Sequence, residues 1–530
     1  MNNHRRLVVF FSLFTLLLSA NIFANGETTY KAAVLEHVPQ PYSSTPLETL
    51  ISNANVYADA AKRAADQGAQ IIVFPEYGMI GFDANETIWK KWFPGFLVFL
   101  PENTDQWTPC LEPSKFDDGS GNKEVLRVLS CAALNNSIFL VANLLTKEPC
   151  DLNSNSSCPS DGFYKCNTNL IFDSNGTLTA RYHKRHLFAE PFLIQPPQEA
   201  DVVVEMGTVK FGIFTCYDML FADPAMDYIT KHGIRNLLFP TASANDLPFL
   251  SAPQAFSRFA RGLGVNLIVP NPYSPQNSRL GAGIYSSKLG AVVETYDLAN
   301  PGRLLIAELE ADPLPINENP ISCDLSAEEL PLPPSNPASP FLPWSVTTDQ
   351  PSSAPIGKIH RVWYQSLQNF SHQFLSADEG NATICKGDLC CHLEYELTNK
   401  DSDVFYAFAL LNEFHAVYGD VQPYVQICSV LRCEEKEIQK CGRIPEKSTL
   451  TRFTRLSLSG NFVTSALMPS ILGADLQSVP NGKWAFTKGS CTPNEGNFTS
   501  GAAITMQPMP ELPILVASIY GRVFERDLYL

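Results

Sequence analysis

Three short strand-like runs in this chain each stop on a side chain able to do chemistry. Gln70-Ile71-Ile72-Val73-Phe74-Pro75 ends on Glu76, Arg181-Tyr182-His183 on Lys184, and Lys210-Phe211-Gly212-Ile213-Phe214-Thr215 on Cys216. A run of β-branched and aromatic residues that gives way to polar ones predicts a buried strand, and open α/β layers gather their functional groups at strand carboxyl ends. A thiol, a carboxylate and an ammonium meeting there would suit attack on an amide carbonyl. The thiolate is the nucleophile, and an ordinary cysteine, with a pKa of ~8.5, is mostly protonated at neutral pH, so Cys216 needs a base or a cation beside it. Glu76 can take the proton and later deliver it to the departing amine. Lys184, with the backbone N–H of Tyr217, would face the oxyanion. The sum is two-step amide hydrolysis through a thioester. Taken singly, each residue has a plainer reading. A free cysteine is often inert and buried, Lys184 sits in a basic cluster with Arg181, His183, Arg185 and His186, and Glu76 reads as a surface carboxylate after Pro75.

The elements that must position these groups alternate in type. Tyr30–Val38 reads as a first strand, and Thr45-Pro46-Leu47-Glu48 as a capping-box start to a helix whose apolar positions run from 47 to 65 and which Gly68 closes. The strand carrying Glu76 follows at once. Helix 123–134 precedes strand 138–142, and Asp173-Ser174-Asn175-Gly176 marks a hairpin ahead of Lys184. Strand 209–215 leads to helix 223–231, strand 237–239, helix 252–263 and strand 265–269, with further strands near 283–287, 291–296 and 303–309. Such alternation predicts a layered α/β domain, without distinguishing a sandwich from a doubly wound sheet.

Phe211-Gly212-Ile213-Phe214-Thr215-Cys216-Tyr217-Asp218, Tyr182-His183-Lys184, Phe74-Pro75-Glu76-Tyr77-Gly78 and the closing Tyr520-Gly521-Arg522-Val523-Phe524-Glu525-Arg526-Asp527 resemble the vanin/biotinidase family, the secreted branch of the nitrilase (carbon–nitrogen hydrolase) superfamily. The resemblance covers nearly the whole chain after its leader. It implies a nitrilase-like four-layer α-β-β-α sandwich with a smaller second domain, and it maps the catalytic glutamate, lysine and cysteine onto Glu76, Lys184 and Cys216. It also implies a supporting glutamate, for which Glu190 is the nearest match, although Phe188-Ala189-Glu190-Pro191 departs from the usual wording. In Pro240-Thr241-Ala242-Ser243-Ala244-Asn245, relatives more often carry tryptophan where Ser243 stands; Ser243 and Asn245 are therefore expected at a widened pocket rim. The family implies a small-molecule amide substrate, pantetheine ahead of biotinyl amides such as biocytin, with no metal and no organic cofactor.

The rest of the chain bounds the setting. A basic start, the apolar stretch Leu7–Leu18 and small residues to Ala24 read as a signal peptide over 1–24, too short for a membrane span. Its loss removes two arginines and no acid, taking the net charge from −16 to −18, which disfavours nucleic acid as a partner. A hydrolase domain is expected over 27–310 and a connector over 311–356, where eleven prolines fall in forty-six residues. Residues 357–530 read as a mostly β, disulfide-stapled domain, with alternation in Cys391–Leu397 and Tyr424–Val430. Fourteen cysteines in an exported chain should mostly pair; Cys110, Cys150, Cys158 and Cys166 are expected to bridge and Cys131, inside a helical pattern, to stay unpaired beside the nucleophile. Seven glycosylation acceptors, Asn85, Asn135, Asn155, Asn175, Asn369, Asn381 and Asn497, agree with secretion to the extracellular space. The ending Glu525–Leu530 is no hydrophobic tail, so no stable membrane anchor is expected, and the oligomeric state is left open. Two other classes compete: a papain-like protease pairing Cys216 with His183 or His186, and a non-catalytic secreted small-molecule binding protein.

Overall fold

The computed structural model describes residues 29–81, 86–102, 104, 106–116, 119–153, 156–194, 196–197, 200–313, 361–416, 418–479, 483–491, 499–506 and 513–530. The leader, most of the proline-rich connector, Asn85, Asn155 and Asn497 lie outside the described residues.

Two sheets stack face to face in the amino-terminal half. The first runs in the order Leu304–Glu310, Thr29–Leu35, Ile71–Val73, Phe139–Pro149, Phe163–Phe172, Leu178–His183, with Val98–Phe99 pairing alongside Phe139–Pro149. The second runs Gly290–Thr295, Ala282–Ser286, Asn266–Val269, Asn236–Leu238, Val209–Ile213, Val203–Met206. Central pairs are parallel and the flanks antiparallel, as short buried strands linked through helices require. Side chains alternate between two cores. Ile71 and Val73 meet Phe211, Ile213 and Leu237 between the sheets, while Ile72, Leu140 and Leu170 meet the helices Pro46–Ala65 and Lys123–Asn136 outside. With Ala225–Thr230 and Ala252–Leu263 on the far side, the layering is α-β-β-α.

Local signals act where their chemistry predicts. The Thr45 hydroxyl accepts from Glu48 N at 3.2 Å, Pro46 opens the helix, and Gly68 takes φ 82° behind it. Strand Phe139–Pro149 runs well past the expected 138–142, because its residues from Leu140 on pair with the whole of Phe163–Phe172, a strand not among those expected. No helix among the described residues is long and apolar enough to cross a membrane.

The carboxyl-terminal half is two facing five-stranded antiparallel sheets. One is ordered Ser371–Phe374, Phe405–Phe414, Tyr424–Cys433, Ile514–Arg522, Leu467–Gly473, and the other Glu379–Lys386, Leu389–Thr398, Arg452–Phe462, Thr499–Met506, Trp484–Cys491. Adjacent Cys390 and Cys391 point to opposite faces of one strand. Cys390 therefore bonds Cys385 across the hairpin, and Cys391 bonds Cys428 of the other sheet, stapling the sandwich through its core. Cys433–Cys441 closes a third loop.

In the amino-terminal half the pairing differs from expectation. Cys131 bonds Cys110, with Cα atoms 4.8 Å apart, and Cys150 bonds Cys158; Cys166 and Cys216 keep their thiols. Helical position did not isolate Cys131, which lies on the flank of Lys123–Asn136 that meets the loop carrying Cys110. Cys166 instead sits fully buried within a central strand.

The halves meet along Ala252–Leu263, a helix buried on nearly every residue because one face covers the second sheet and the other packs on Leu467–Gly473. Arg258 and Arg261 stack 4.0 Å over the rings of Tyr520 and Trp484, and a Cβ at Gly262 would fall 2.2 Å from the Leu467 carbonyl oxygen. Gly262→Ala is expected to lower unfolding stability by about 1–3 kcal/mol through overpacking. An unchanged urea midpoint would show the seam to be loose.

Candidate active site

Glu76, Lys184 and Cys216 come from three strand ends and line one cavity of about 180 Å³. Glu76 follows Ile71–Val73, Lys184 follows Leu178–His183, and Cys216 opens a 3-10 turn after Val209–Ile213. Lys184 Nζ donates to Glu76 Oε1 at 2.8 Å and to Glu190 Oε2 at 2.8 Å, with all three residues almost removed from solvent. Glu190 is therefore integral to the cluster. Its carboxylate also accepts from Phe188 N at 2.9 Å and from the Tyr77 hydroxyl.

An asparagine ladder binds the three segments together. Asn167 Nδ2 donates to Glu76 Oε1 at 2.8 Å and to Glu190 Oε1 at 2.9 Å; Asn143 Nδ2 donates to Asn167 Oδ1 and Asn169 Oδ1, and Asn169 Nδ2 donates to Thr215 Oγ1 at 2.7 Å. Asp218 makes a second tie, accepting from Tyr182 Oη at 2.7 Å, His186 N at 2.8 Å and Thr215 N at 2.8 Å. Nothing in the sequence marks these residues as strongly as Glu76, Lys184 and Cys216. The one available signal is three polar side chains, Asn143, Asn167 and Asn169, inside otherwise apolar strands.

Backbone strain gathers here as well. Tyr77, Ala189 and Cys216 have φ of 57°, 51° and 46°, the left-handed region that favours glycine, and each is or adjoins a residue of the cluster. At Cys216 this conformation makes the sharp strand-to-turn reversal that sets the residue in the cavity lining.

The charges set the protonation states. Burial disfavours the Lys184 ammonium, but Glu76, Glu190 and Cys216 outweigh it and hold its pKa above the usual lysine value. Burial, then the Glu76 carboxylate, pushes the Cys216 thiol up to about 12, against the opposing pull of Lys184, Thr241 and Ala242. Arg279 lines the same cavity; burial lowers its pKa while Cys216 and Glu76 act the other way, so a second cation balances the second carboxylate.

Tyr217 is held against the second domain: its hydroxyl donates to Asp420 Oδ1 at 3.1 Å and to the Tyr418 carbonyl, and its ring packs on Phe188 and Phe221. Ser243 lines the cavity. Asn245 does not; it is buried with its amide spent on Ser278 O, Leu280 O and Ala252 N, so it braces the loop instead of facing substrate. His183 and His186 are also elsewhere, the first on Glu148 at 2.8 Å and the second stacked on Phe221. Donor atoms of Glu148, Cys166 and His183 lie within 4.8 Å of one another, but Glu148 is already engaged by Arg181, Thr146 and His183. Asn135, Asn175, Asn369 and Asn381 are exposed.

The layered fold and the strand-end cluster define a carbon–nitrogen hydrolase. Residues 35–259 match the carbon–nitrogen hydrolase family and residues 360–527 the vanin C-terminal domain. The chain is 34% identical to the pantetheinase of Bos taurus over 95% of its own length and 91% of that protein. It is 33% identical to the pantetheinase of Mus musculus, again over 95% and 91%. To the biotinidase of Bos taurus it is 33% identical over 94% of this chain and 93% of that one. The chain belongs to the vanin/biotinidase family.

Proposed function

We propose that this protein is a secreted amidohydrolase that splits pantetheine into pantothenate and cysteamine, with Glu76, Lys184 and Cys216 as its catalytic residues. The observation that carries the reading is the buried Lys184–Glu76 contact at 2.8 Å in the cavity that also holds Cys216. With its pKa near 12, the resting thiol is protonated. The Cys216 proton therefore passes to Glu76 as sulfur attacks the carbonyl. Lys184 and the Tyr217 N–H stabilise the oxyanion. Collapse breaks the C–N bond, Glu76 returns the proton to the amine, and a thioester remains. Glu76 then deprotonates water, which attacks the thioester; the acid leaves and the thiol is restored. Lys184 carries a fixed charge throughout, and each step uses only groups of this chain, the substrate and water.

Secretion is supported by the leader-like first 24 residues, five disulfides among the described residues and four exposed acceptor asparagines. Biotinyl amides are the second reading, favoured by the mostly apolar walls around Phe188, Leu250 and Phe256. Purified enzyme assayed on pantetheine and biocytin side by side, with Cys216→Ala as blank, is expected to favour pantetheine. Preference for biocytin reverses the ranking, and hydrolysis of neither with tight binding of either supports a carrier.

A further inference from the structure

The cavity has a second polar point, away from the Glu76–Lys184–Cys216 cluster. Asp246 lines it, is only 9% exposed, and belongs to the two-residue strand Asp246–Leu247 that pairs in parallel with Trp363–Tyr364 of the second domain. Its Oδ2 accepts from Gln365 Nε2 at 3.2 Å and from Tyr418 Oη at 3.1 Å. Gln365 is itself held by His415 Nε2 at 2.9 Å, and burial keeps that imidazole neutral, with a pKa near 4. Among the described residues no lysine or arginine pairs with Asp246, and no donor meets Oδ1. Trp363 and Tyr418 flank it as apolar walls. Burial raises the Asp246 pKa to about 7 against the pull of Gln365 and Tyr418, so in mildly alkaline solution Asp246 is a carboxylate, and a buried carboxylate bordering a cavity is costly unless the occupant brings a donor.

We propose that Asp246 is the specificity-determining residue of this enzyme, its Oδ1 accepting a hydroxyl or second N–H of an amide substrate at a point remote from the scissile bond, with Gln365 and Tyr418 holding it in position. The inference rests on the amidohydrolase reading above and narrows its substrate class. Sites built to hydrogen-bond a substrate group discriminate strongly against analogues lacking that group, whereas apolar walls do not. Pantetheine carries two hydroxyls and a second amide; a plain alkanoyl amide of cysteamine of equal length carries none of them.

The test compares those two ligands by calorimetry at about pH 8.5, where Asp246 is ionised, on Cys216→Ala protein, with and without Asp246→Asn. Because Gln365 and Tyr418 both donate to Oδ2, an asparagine must turn its carbonyl to them and its NH₂ to the cavity, replacing the acceptor with a donor. Pantetheine affinity is expected to fall about 10-fold or more and alkanoyl affinity to change less than about 3-fold. Tyr418→Phe, which removes one of the two holding donors, should give a smaller loss confined to pantetheine. Equal losses for both ligands would mean a merely structural role, and no loss for either would also overturn the proposal. Wild-type enzyme that binds pantetheine without hydrolysing it would instead defeat the function proposed above, leaving the binding comparison to decide the role of Asp246 by itself.

Discussion

Lys184→Met is expected to abolish turnover and to cost about 3–5 kcal/mol of stability, because it strips a cation bonded to two buried carboxylates, the only one so placed among the described residues. Glu76 and Glu190 both touch Lys184 Nζ at 2.8 Å, and Asn167 can donate to both but carries no charge. Urea unfolding and the amide assay read the two effects separately. Adding Glu190→Gln to Lys184→Met should restore part of the stability, since one buried negative charge is gone, while activity stays absent. Normal stability in the single variant would mean that the cluster is wetter than its burial implies. The pH dependence follows from the raised pKa. A lysine held protonated beyond its usual 10.5 contributes its full stabilisation at all lower pH, and that contribution is lost only as pH climbs through the raised folded value. Neutral and mildly alkaline solutions should therefore leave the ion pair intact.

Cys216→Ala should reduce turnover by about 10⁴-fold or more, the scale seen when a nucleophile is removed. Folding should be nearly unaffected, since alanine keeps the Cβ and the same φ of 46°. Mass spectrometry after trapping with substrate should find the acyl group on Cys216 and not on Cys166, which is fully buried. A thiol pushed up to about 12 also predicts no rise in rate near pH 8.5, where an unperturbed thiol would ionise. Retained activity in the alanine variant would defeat the thioester route, and an adduct on Cys166 would misassign the nucleophile.

The parts of this site that were legible from sequence are those announced by a strand ending. Ile71–Val73 and Val209–Ile213 stop where their apolar runs stop, and the chemistry follows within a few residues. The hairpin at Asp173–Gly176 fixed the strand leading to Lys184 in the same way, with Gly176 at φ 74°. What stayed hidden depends on contacts between distant segments. Asn167 looks like any polar residue in a strand until its amide is seen between two carboxylates. Glu190 could be named only by resemblance, because it follows Ala189 at φ 51°, a turn that local wording does not announce. Asn245 misled because its segment does border the pocket through Ala242, Ser243 and Ala244, whereas its own amide is consumed by three backbone bonds. The cysteine assignment failed for a similar reason. Pairing depends on which loop crosses a helix flank, and the approach of Cys110 to Cys131 is invisible to periodicity. The second domain's contribution, Trp363 and Tyr418, had no signal in the hydrolase half at all.

That last contribution changes how the two halves depend on each other. Because Trp363 and Tyr418 wall the cavity from one half and Cys216 and Phe256 from the other, whatever occupies it is also a rivet through both. An occupant present at a hundred times its Kd stabilises a protein by about 2.7 kcal/mol, and here that gain is spread over the whole chain. Damage anywhere along the seam would then surface first as weaker occupancy, well before either half came apart.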